Sequence, residues 1–540
     1  MKNAASRTLL LLALLFSTGC GGGSADAAIA SLLPKDTVAV VRIASLDQLI
    51  KNARHATIAM GEDPKGIDAD TLLRQLQAVG GGKTTLIDRT RPIAIAVAMP
   101  GDTPSPVLMV PATDAKAYAA SLPPMGASPV VSGGYVVVAL GAKYEKARSP
   151  SALMSNLPSG VVALRVDAEQ LVTMLGSEIG ANLRALEARM ASESTSNGSG
   201  FDGGAMAKAF VNVARSAIGA AKTLELGLDY REGQLDVFGS LTVKPGSELD
   251  GWGAAPVDLK SLASRLSGMG SLELLMAADW GKLWPRIAPI MQSALEVYPP
   301  PMRELLRPLL ADYEQICRVL GPVVAAEGDV FGGNMNLMLH LAPPDATALQ
   351  RRCETMLGHE SLARLGISSD PAKTAEVDGA SIRDYEVKVD LDRFAASFGD
   401  QVKPAERDSM TAMLRALFGA EHLPLRLASK GGRSVMAIGP QRNHTATLAS
   451  LHGKGGTGSK SLQAALARFC DCNPVFVERI DFAAMMSMMA QFAGPTFPAV
   501  PAGQSADFVF AAGVRNNEWR GQLSIDLSGF AKMVQGAMPR

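Results

Sequence analysis

The feature that most constrains the fold is a short unit of buried strand, polar cap and helix start that recurs along the chain. In the first copy, the apolar, β-branched strand Val38–Ile43 leads into Ser45-Leu46-Asp47-Gln48, which has the spacing of a helix capping box. The later copies are strands followed by an aspartate cap: Val161–Val166 with Asp167, Leu272–Met276 with Asp279, and Val475–Ile480 with Asp481. Such repetition predicts a duplicated architecture.

Hairpins separate these units. Apolar residues alternate with polar residues or glycine in Leu224–Tyr230 and again in Leu235–Val243, on either side of the turn Arg231-Glu232-Gly233. A period of two predicts a half-buried antiparallel pair. The same pattern predicts hairpins over 323–341 and 508–525.

The strongest internal match joins Ser132–Gly141 to Lys430–Gly439, where five of ten positions are identical, including the two turn glycines. We therefore predict an α+β fold in which residues 30–250 and 255–540 are two copies of one module. Each copy would consist of mostly antiparallel sheets with helices packed on one face.

The N-terminus predicts export. Lys2 and Arg7 precede the apolar run Leu9–Phe16, and the small-residue segment Ser17-Thr18-Gly19 ends at Cys20. Residues 1–19 therefore resemble a lipoprotein-type signal peptide, with Cys20 as the lipidated residue and 20–29 as a flexible tether. The alternative is an ordinary signal peptide that is cut near Gly19 or Ala27-Ala28.

Lipidation at Cys20 would hold the protein to a membrane by N-terminal acyl chains. The expected location is the bacterial cell envelope, and Gly21, in place of an acidic residue, favours the outer membrane. Membrane lipid and other envelope proteins are the expected partners.

Composition bears on other partners. Hydrophobic residues make up 47% of the chain and charged residues 19%, which is typical of a globular protein. Lysine plus arginine equals aspartate plus glutamate at 52 each, so the chain lacks the basic surplus that a nucleic-acid partner would require.

Four cysteines follow Cys20. Cys317 and Cys353 are a plausible disulfide pair in an exported protein, whereas Cys470 and Cys472 are separated by one residue and would form a strained ring.

Two segments imitate phosphate-binding loops. Gly80–Thr85 lacks the first glycine of the motif, and Gly453–Lys460 reverses the final pair, so we expect no nucleotide and no cofactor. The six histidines form no ligand set, which predicts no metal site, and no catalytic residue is assigned.

Two further groups have structural and functional interpretations. Met485, Met486, Met488 and Met489 suit a plastic core, and alternatively a site for copper(I) or an apolar ligand. The recurring arginines could define a shared anion site, although pairing with local carboxylates is the favoured interpretation: Arg42, Arg165 and Arg479.

The segments Leu33–Ile43, Arg91–Val97, Val110–Asp114 and Gly133–Tyr135 resemble an uncharacterised family of large exported bacterial proteins of unknown function. These motifs are turns, caps and strands, so the resemblance implies a shared fold and no catalytic residues. The expected function is a non-catalytic, lipid-anchored envelope protein that acts as a binding or scaffolding component. The alternatives are a carrier of a hydrophobic or lipid ligand in a groove between sheet and helices and, third, a hydrolase with an unrecognised site.

Overall fold

The structure is a computed structural model. It describes these residues: 23–71, 73–74, 82–100, 103–124, 128–140, 144–147, 153, 157, 160–196, 203–231, 233–247, 249–250, 259–268, 270–277, 280–296, 298, 300–330, 335–397, 408, 411–412, 415, 422–439, 444–452, 456, 458–468, 473–493 and 505–537.

Helices and strands account for most of the described chain. The helices are α1 Gly23–Ala30, α2 Leu46–Ala59, α3 Ala115–Ser121, α4 Ala168–Ser196, α5 Gly203–Ala220, α6 Leu259–Ala263, α7 Trp280–Leu295, α8 Pro300–Val319, α9 Ala346–Leu357, α10 Glu360–Arg364, α11 Leu391–Ala396, α12 His444–Leu451, α13 Lys460–Arg468, α14 Phe482–Ala493 and α15 Leu527–Ala537. The strands are β1 Thr37–Ile43, β2 Ile93–Ala98, β3 Ser105–Pro111, β4 Val130–Ser132, β5 Tyr135–Ala139, β6 Val162–Asp167, β7 Ala221–Arg231, β8 Gln234–Val243, β9 Leu272–Ala277, β10 Val323–Asp329, β11 Asn336–Leu341, β12 Ile367–Ser369, β13 Lys373–Val377, β14 Ala380–Val389, β15 His422–Lys430, β16 Arg433–Ile438, β17 Asn473–Asp481, β18 Asp507–Arg515 and β19 Glu518–Asp526.

The described residues divide into two compact units. Unit 1 contains those of 1–176, 218–247 and 518–535, and unit 2 contains those of 177–217, 248–517 and 536–540. Because residues 518–535 lie in unit 1, this unit is built from both ends of the chain.

Unit 1 contains an antiparallel sheet with the strand order β4–β5–β3–β2–β1–β6–β7–β8–β19. The capping units form at its centre as predicted. Ser45 Oγ accepts a hydrogen bond from the N–H of Gln48, and an Asp167 carboxylate oxygen accepts one from the N–H of Gln170. Each cap fixes the residue at which the chain leaves the sheet and enters a helix.

Unit 2 contains a second antiparallel sheet, with the order β13–β14–β15–β16–β11–β10–β9–β17–β18 and with β12 also paired to β14. The glycine hairpin β15–β16 packs beside β11 as the matching hairpin β4–β5 packs beside β3. Asp114 and Asp345 then cap the helices that follow β3 and β11. The fold is α+β.

Both faces of the unit 1 sheet are packed near β5, whose apolar run Tyr135–Ala139 is fully buried. One face lies against α1 and Leu32-Leu33. The opposite face lies against α2 and α3, through Leu46 and Tyr118.

The described chain is more helical than the sequence predicts in two places. Most of the expected tether 20–29 belongs to α1, and Ile29 is fully buried because the apolar segment Ala27–Ala30 packs on the sheet. The stretch 191–206 has the polar, glycine- and serine-rich composition of a loop, but α4 continues to Ser196 and α5 begins at Gly203. Residues 191–196 are mostly serine and threonine, and α5 opens with two glycines, so helix propensity alone does not predict either extension.

Candidate functional site

A wide apolar surface lies on one face of the unit 1 sheet. We call it the apolar face and define it by three cross-strand rows of residues that lie opposite one another. The rows are Val97–Ala39–Val166–Leu224–Leu241–Trp519, Leu108–Ile95–Val41–Leu164–Leu226–Gly239–Gly521, and Ile93–Ile43–Val162–Leu228–Val237–Leu523. Every member is apolar or glycine. All of them lie on one face, because every second residue of a strand points to the same side of the sheet.

The apolar face is incompletely covered. Ile95 is 38% exposed and Leu226 is 41% exposed, although both lie in the middle of interior strands of the sheet. Their neighbours Val41 and Leu164 are half-buried. The third row is more covered, since Ile93 and Val162 are buried against α2. The partly exposed apolar strip along the second row marks a candidate site for a ligand, a membrane or another protein.

Helix α2 forms one border of the apolar face. Its Leu49 packs with Val41, Ile43 and Val162. The side of α2 that is turned away from Leu49 lines a groove of about 590 Å³. The groove residues are Asp47, Ile50, Lys51, Arg54, His55, Ile58, Pro64, Lys65 and Arg89.

The groove is predominantly basic, with four lysine or arginine side chains and one carboxylate in its lining. Arg89 pairs with Asp47 at 2.5 Å between Nη2 and Oδ1, and Lys65 pairs with Asp63 at 3.0 Å between Nζ and Oδ2. Arg54 donates from Nε to the carbonyl oxygen of Ile67 at 2.6 Å, which fixes the guanidinium at the rim.

Unit 2 has a comparable apolar sheet surface. Its rows are Phe508–Ile480–Leu272–Gly328–Leu337–Ile438–Leu425 and Phe510–Glu478–Leu274–Ala326–Leu339–Met436–Leu427. Phe510 is 44% exposed and its ring lies 5.8 Å from that of Phe476. Burial raises the pKa of Glu478, the one carboxyl in these rows.

The methionine-rich helix α14 packs beside this second surface, with the Phe482 ring 4.6 Å from the Phe508 ring. Met485, Met486 and Met488 are half-buried, and the side chain of Met489 lies outside the described residues. The predicted methionine cluster is therefore placed next to strands β17 and β18.

The other face of the unit 2 sheet carries a buried polar cluster that joins sequence-distant residues. Ser450 Oγ lies 2.7 Å from Nδ1 of His340, and His340 Nε2 lies 3.7 Å from Oε1 of Glu327. Glu327 Oε2 accepts hydrogen bonds from the N–H and hydroxyl of Ser267. Burial raises the pKa of Glu327, but the interactions with His340 and Ser267 outweigh it and leave the pKa below its usual value.

This Ser–His–Glu arrangement resembles the order of groups in a hydrolytic triad. His340 is 1% exposed, however, and the hydroxyl-bearing residue Ser450 is also buried. A nucleophile must reach its substrate, so we assign the cluster to stabilisation of the core. Sequence patterns could not find it, because its members come from β10, β11 and α12 and meet only through strand register.

A second buried network explains the segment that imitates a phosphate loop. Glu273 is fully buried and accepts a hydrogen bond at Oε1 from the N–H of Ser459, at the N-terminus of α13. Gly458 donates its N–H to the Leu266 carbonyl oxygen. The described part of Gly453–Lys460 is therefore held by β9 and by the Leu266 carbonyl oxygen, and a carboxylate of the protein itself binds at the N-terminus of α13.

The recurring arginines follow the favoured interpretation in two cases. Arg165 Nη1 lies 3.2 Å from Glu225 Oε1. Arg479 Nη2 lies 2.8 Å from Asp507 Oδ1, and its Nη1 lies 3.7 Å from Glu273 Oε2. Arg42 donates to the carbonyl oxygen of Gly160 at 3.3 Å. Each arginine thus has a local acceptor.

The remaining predicted sites are placed as follows. Cys20 lies outside the described residues. Cys317 on α8 and Cys353 on α9, the residues predicted to pair, are buried free thiols in this structure. Burial raises the pKa of each thiol to about 11. Thr84 of the first loop mimic opens a 3₁₀ turn over Thr84–Leu86, not a helix after a strand.

Two kinds of feature are absent from the described residues. They contain no cluster of three or more histidine, cysteine, aspartate or glutamate side chains that could hold a metal ion. Among the same residues, no helix combines the length and apolar character that crossing a bilayer requires.

Comparisons with known proteins return little. No family model matches the sequence, and no curated protein matches it significantly. Crystal form III of TP0453 has a TM-score of 0.25 and 8% identity, covering 50% of this chain and 96% of that one. Crystal form I has a TM-score of 0.23 and 8% identity, covering 53% and 98%. Scores this low carry no argument, so functional conclusions rest on the geometry above.

Proposed function

We propose that this chain is a non-catalytic, lipid-anchored protein of the bacterial cell envelope that binds the acyl chains of a lipid on its apolar face. The observation that carries the proposal is the exposure of Ile95 and Leu226 within three uninterrupted apolar rows of the unit 1 sheet. Among the functions that the sequence suggests, a carrier of a hydrophobic ligand best explains this surface.

The dimensions of the apolar face suit an acyl chain. Its first row crosses six strands, β2 to β19, which at ~4.8 Å per strand spacing gives a length of about 24 Å. One leaflet contributes about half of the ~30 Å hydrocarbon core of a bilayer. The row is therefore long enough to take a chain from one leaflet.

The two glycines at one end of the second row also favour binding of an acyl chain. Gly239 and Gly521 lie opposite each other at one end of the second row, where neither strand contributes a side chain. Leu226, the neighbour of Gly239, is the most exposed residue of that row. Leu226 leans over Gly239, since its Cδ2 lies 3.0 Å from the position that a Cβ on Gly239 would take. The row thus ends in two residues without side chains beside an exposed leucine, and a flexible apolar chain can lie there.

The anchor is tested by intact mass of the protein extracted from its native membrane. We expect a mature chain that begins at Cys20 and carries acyl mass, and a Cys20→Ser variant that is released from the membrane. A native chain that begins near Ala28 without lipid would refute the anchor and leave the binding proposal to stand alone.

Lipid binding is tested with a fluorescent fatty acid and the full chain carrying Cys20→Ser, so that the protein's own acyl chains do not compete. We expect saturable binding that Leu226→Asp weakens at least tenfold, because a carboxylate against an acyl chain loses its hydration. Leu186→Asp is the matched control, since Leu186 on α4 is 38% exposed and lies outside the apolar face.

Circular dichroism and urea midpoints of both variants establish that the fold is retained. Saturable binding that is unchanged by Leu226→Asp would place the ligand elsewhere, and absence of binding would overturn the proposal. If the apolar face binds a protein instead of lipid, and Leu226→Asp abolishes that binding, the face serves scaffolding and the lipid-binding proposal is overturned.

A further inference from the structure

We propose that the basic groove along α2 binds the anionic, phosphate-bearing headgroup of the lipid whose acyl chains lie on the apolar face. This inference rests on the proposed function and names the class of ligand. The groove and the apolar face belong to the same unit and share α2 as their common border.

The helical period of α2 separates the two surfaces. Leu49 and Ala53 are buried, whereas Lys51, Arg54, His55 and Ile58 are exposed. The exposed set follows the spacing i, i+3, i+4, i+7 and so forms one stripe along the helix. Because an α-helix is about 10 Å across, the stripe lies about one helix diameter from the apolar face.

Two cations in the groove are available to a ligand. Arg89 and Lys65 have carboxylate partners, whereas within the described part of the chain Lys51 and Arg54 have none. Hydrogen bonding of Arg54 Nε to Ile67 leaves the two terminal nitrogens of the guanidinium, and these can donate to a phosphate oxygen.

The groove also has apolar members, which favours an amphiphile over a small anion. Ile58 is 57% exposed, and Ile50 and Pro64 complete the apolar part of the lining. A free phosphate ion would gain nothing from these side chains. The glycerol and first methylene groups of a phospholipid would cover Ile58 and Pro64 and so remove their apolar surface from water.

The experiment compares phosphatidylglycerol with phosphatidylcholine of the same short chain length, titrated into the Cys20→Ser protein at low salt. We expect phosphatidylglycerol to bind at least tenfold more tightly. The preference should fall as sodium chloride rises from about 50 to 500 mM, because exposed charges are screened. Inorganic phosphate at millimolar concentration should not displace the lipid.

The double variant Lys51→Gln/Arg54→Gln should bring the two affinities to within twofold of each other while the phosphatidylcholine affinity stays unchanged. Lys116→Gln is the control, because Lys116 is an exposed lysine of α3 outside the groove. It should keep the wild-type preference.

The outcomes separate the two proposals. Equal binding of both lipids by the wild-type protein, or a preference that survives the double variant, overturns the headgroup site and leaves acyl-chain binding intact. Displacement by inorganic phosphate identifies a free-anion site and overturns it too. Absence of binding by either lipid overturns the proposed function itself.

Discussion

Glu273 and Ser459 are 186 positions apart in the sequence, yet the Ser459 N–H donates to Glu273 Oε1 across 2.9 Å. The same carboxylate lies 3.7 Å from Nη1 of Arg479 on the neighbouring strand. A single buried side chain therefore connects the start of α13 to strands β9 and β17 of the unit 2 sheet.

Replacing this carboxylate should destabilise the protein. We expect Glu273→Gln to lower the free energy of unfolding by about 3 kcal/mol, because a buried charge pair loses one partner, and Arg479 keeps its contacts with Asp507 and the Gly270 carbonyl oxygen. Urea unfolding measures the change. Glu376→Gln, at an exposed position of β13, should stay within about 0.5 kcal/mol of wild type. A similar loss in both variants would show that Glu273 contributes no more than a surface carboxylate.

The ionisation of Glu327 makes the free energy of unfolding depend on pH. Its folded-state pKa is lowered, so its contribution is fully present above the unfolded value of about 4.3 and is lost as pH falls through the lower folded-state pKa. We expect Glu327→Gln to be less stable than wild type at pH 7 and to converge with it on acidification. Unfolding free energies between pH 7 and 3 test this, and parallel curves for the two proteins would contradict it.

Cys317 and Cys353 should react slowly with iodoacetamide in the native state. With pKa values of about 11, only about one thiol in a thousand is ionised at pH 8, and both side chains are buried. Site-resolved mass spectrometry should show labelling only after addition of urea, without reductant. A need for reductant would demonstrate the disulfide that the sequence predicts.

Gly321 should tolerate substitution less well than Gly133, although both have positive φ. A Cβ at Gly321 would collide with the Ala342 carbonyl oxygen, whereas a Cβ at Gly133 meets nothing within 4 Å. We expect Gly133→Ala to cost about 1 kcal/mol from backbone strain and Gly321→Ala at least about 2 kcal/mol more. Equal urea midpoints for the two variants would show that the chain near Ala342 yields freely.

The sequence predicted local structure well at helix caps and tight turns, where a few neighbouring residues determine the backbone conformation. The cap at Ser45, the hairpin around Gly233 and the glycine turns before Tyr135 and Arg433 all form as expected, since each depends on neighbouring residues only. Alternating leucines in β7 indicated a half-buried strand, but not which strands continue its apolar surface.

What the sequence could not provide was register between distant strands. Val41 faces Ile95 on one side and Leu164 on the other, and only this pairing turns separate apolar strands into one surface. The same limit hid the cluster of Glu327, His340 and Ser450. Composition also missed the basic groove, because Lys51 and Arg54 are balanced by acidic residues elsewhere in a chain of zero net charge.

Pairing of β8 with β19 has a consequence for biosynthesis. About 270 residues separate the end of β8 from the start of β19, and the ribosome adds roughly 5–20 residues per second. Were unit 1 to fold as it is synthesised, its β8 edge would wait on the order of 14 to 54 seconds for β19. Throughout that interval its unpaired backbone can pair with another nascent chain. A chain that stays unfolded until β19 has been made never exposes this edge, so the delay in folding that the proposed export would impose protects unit 1 from such pairing.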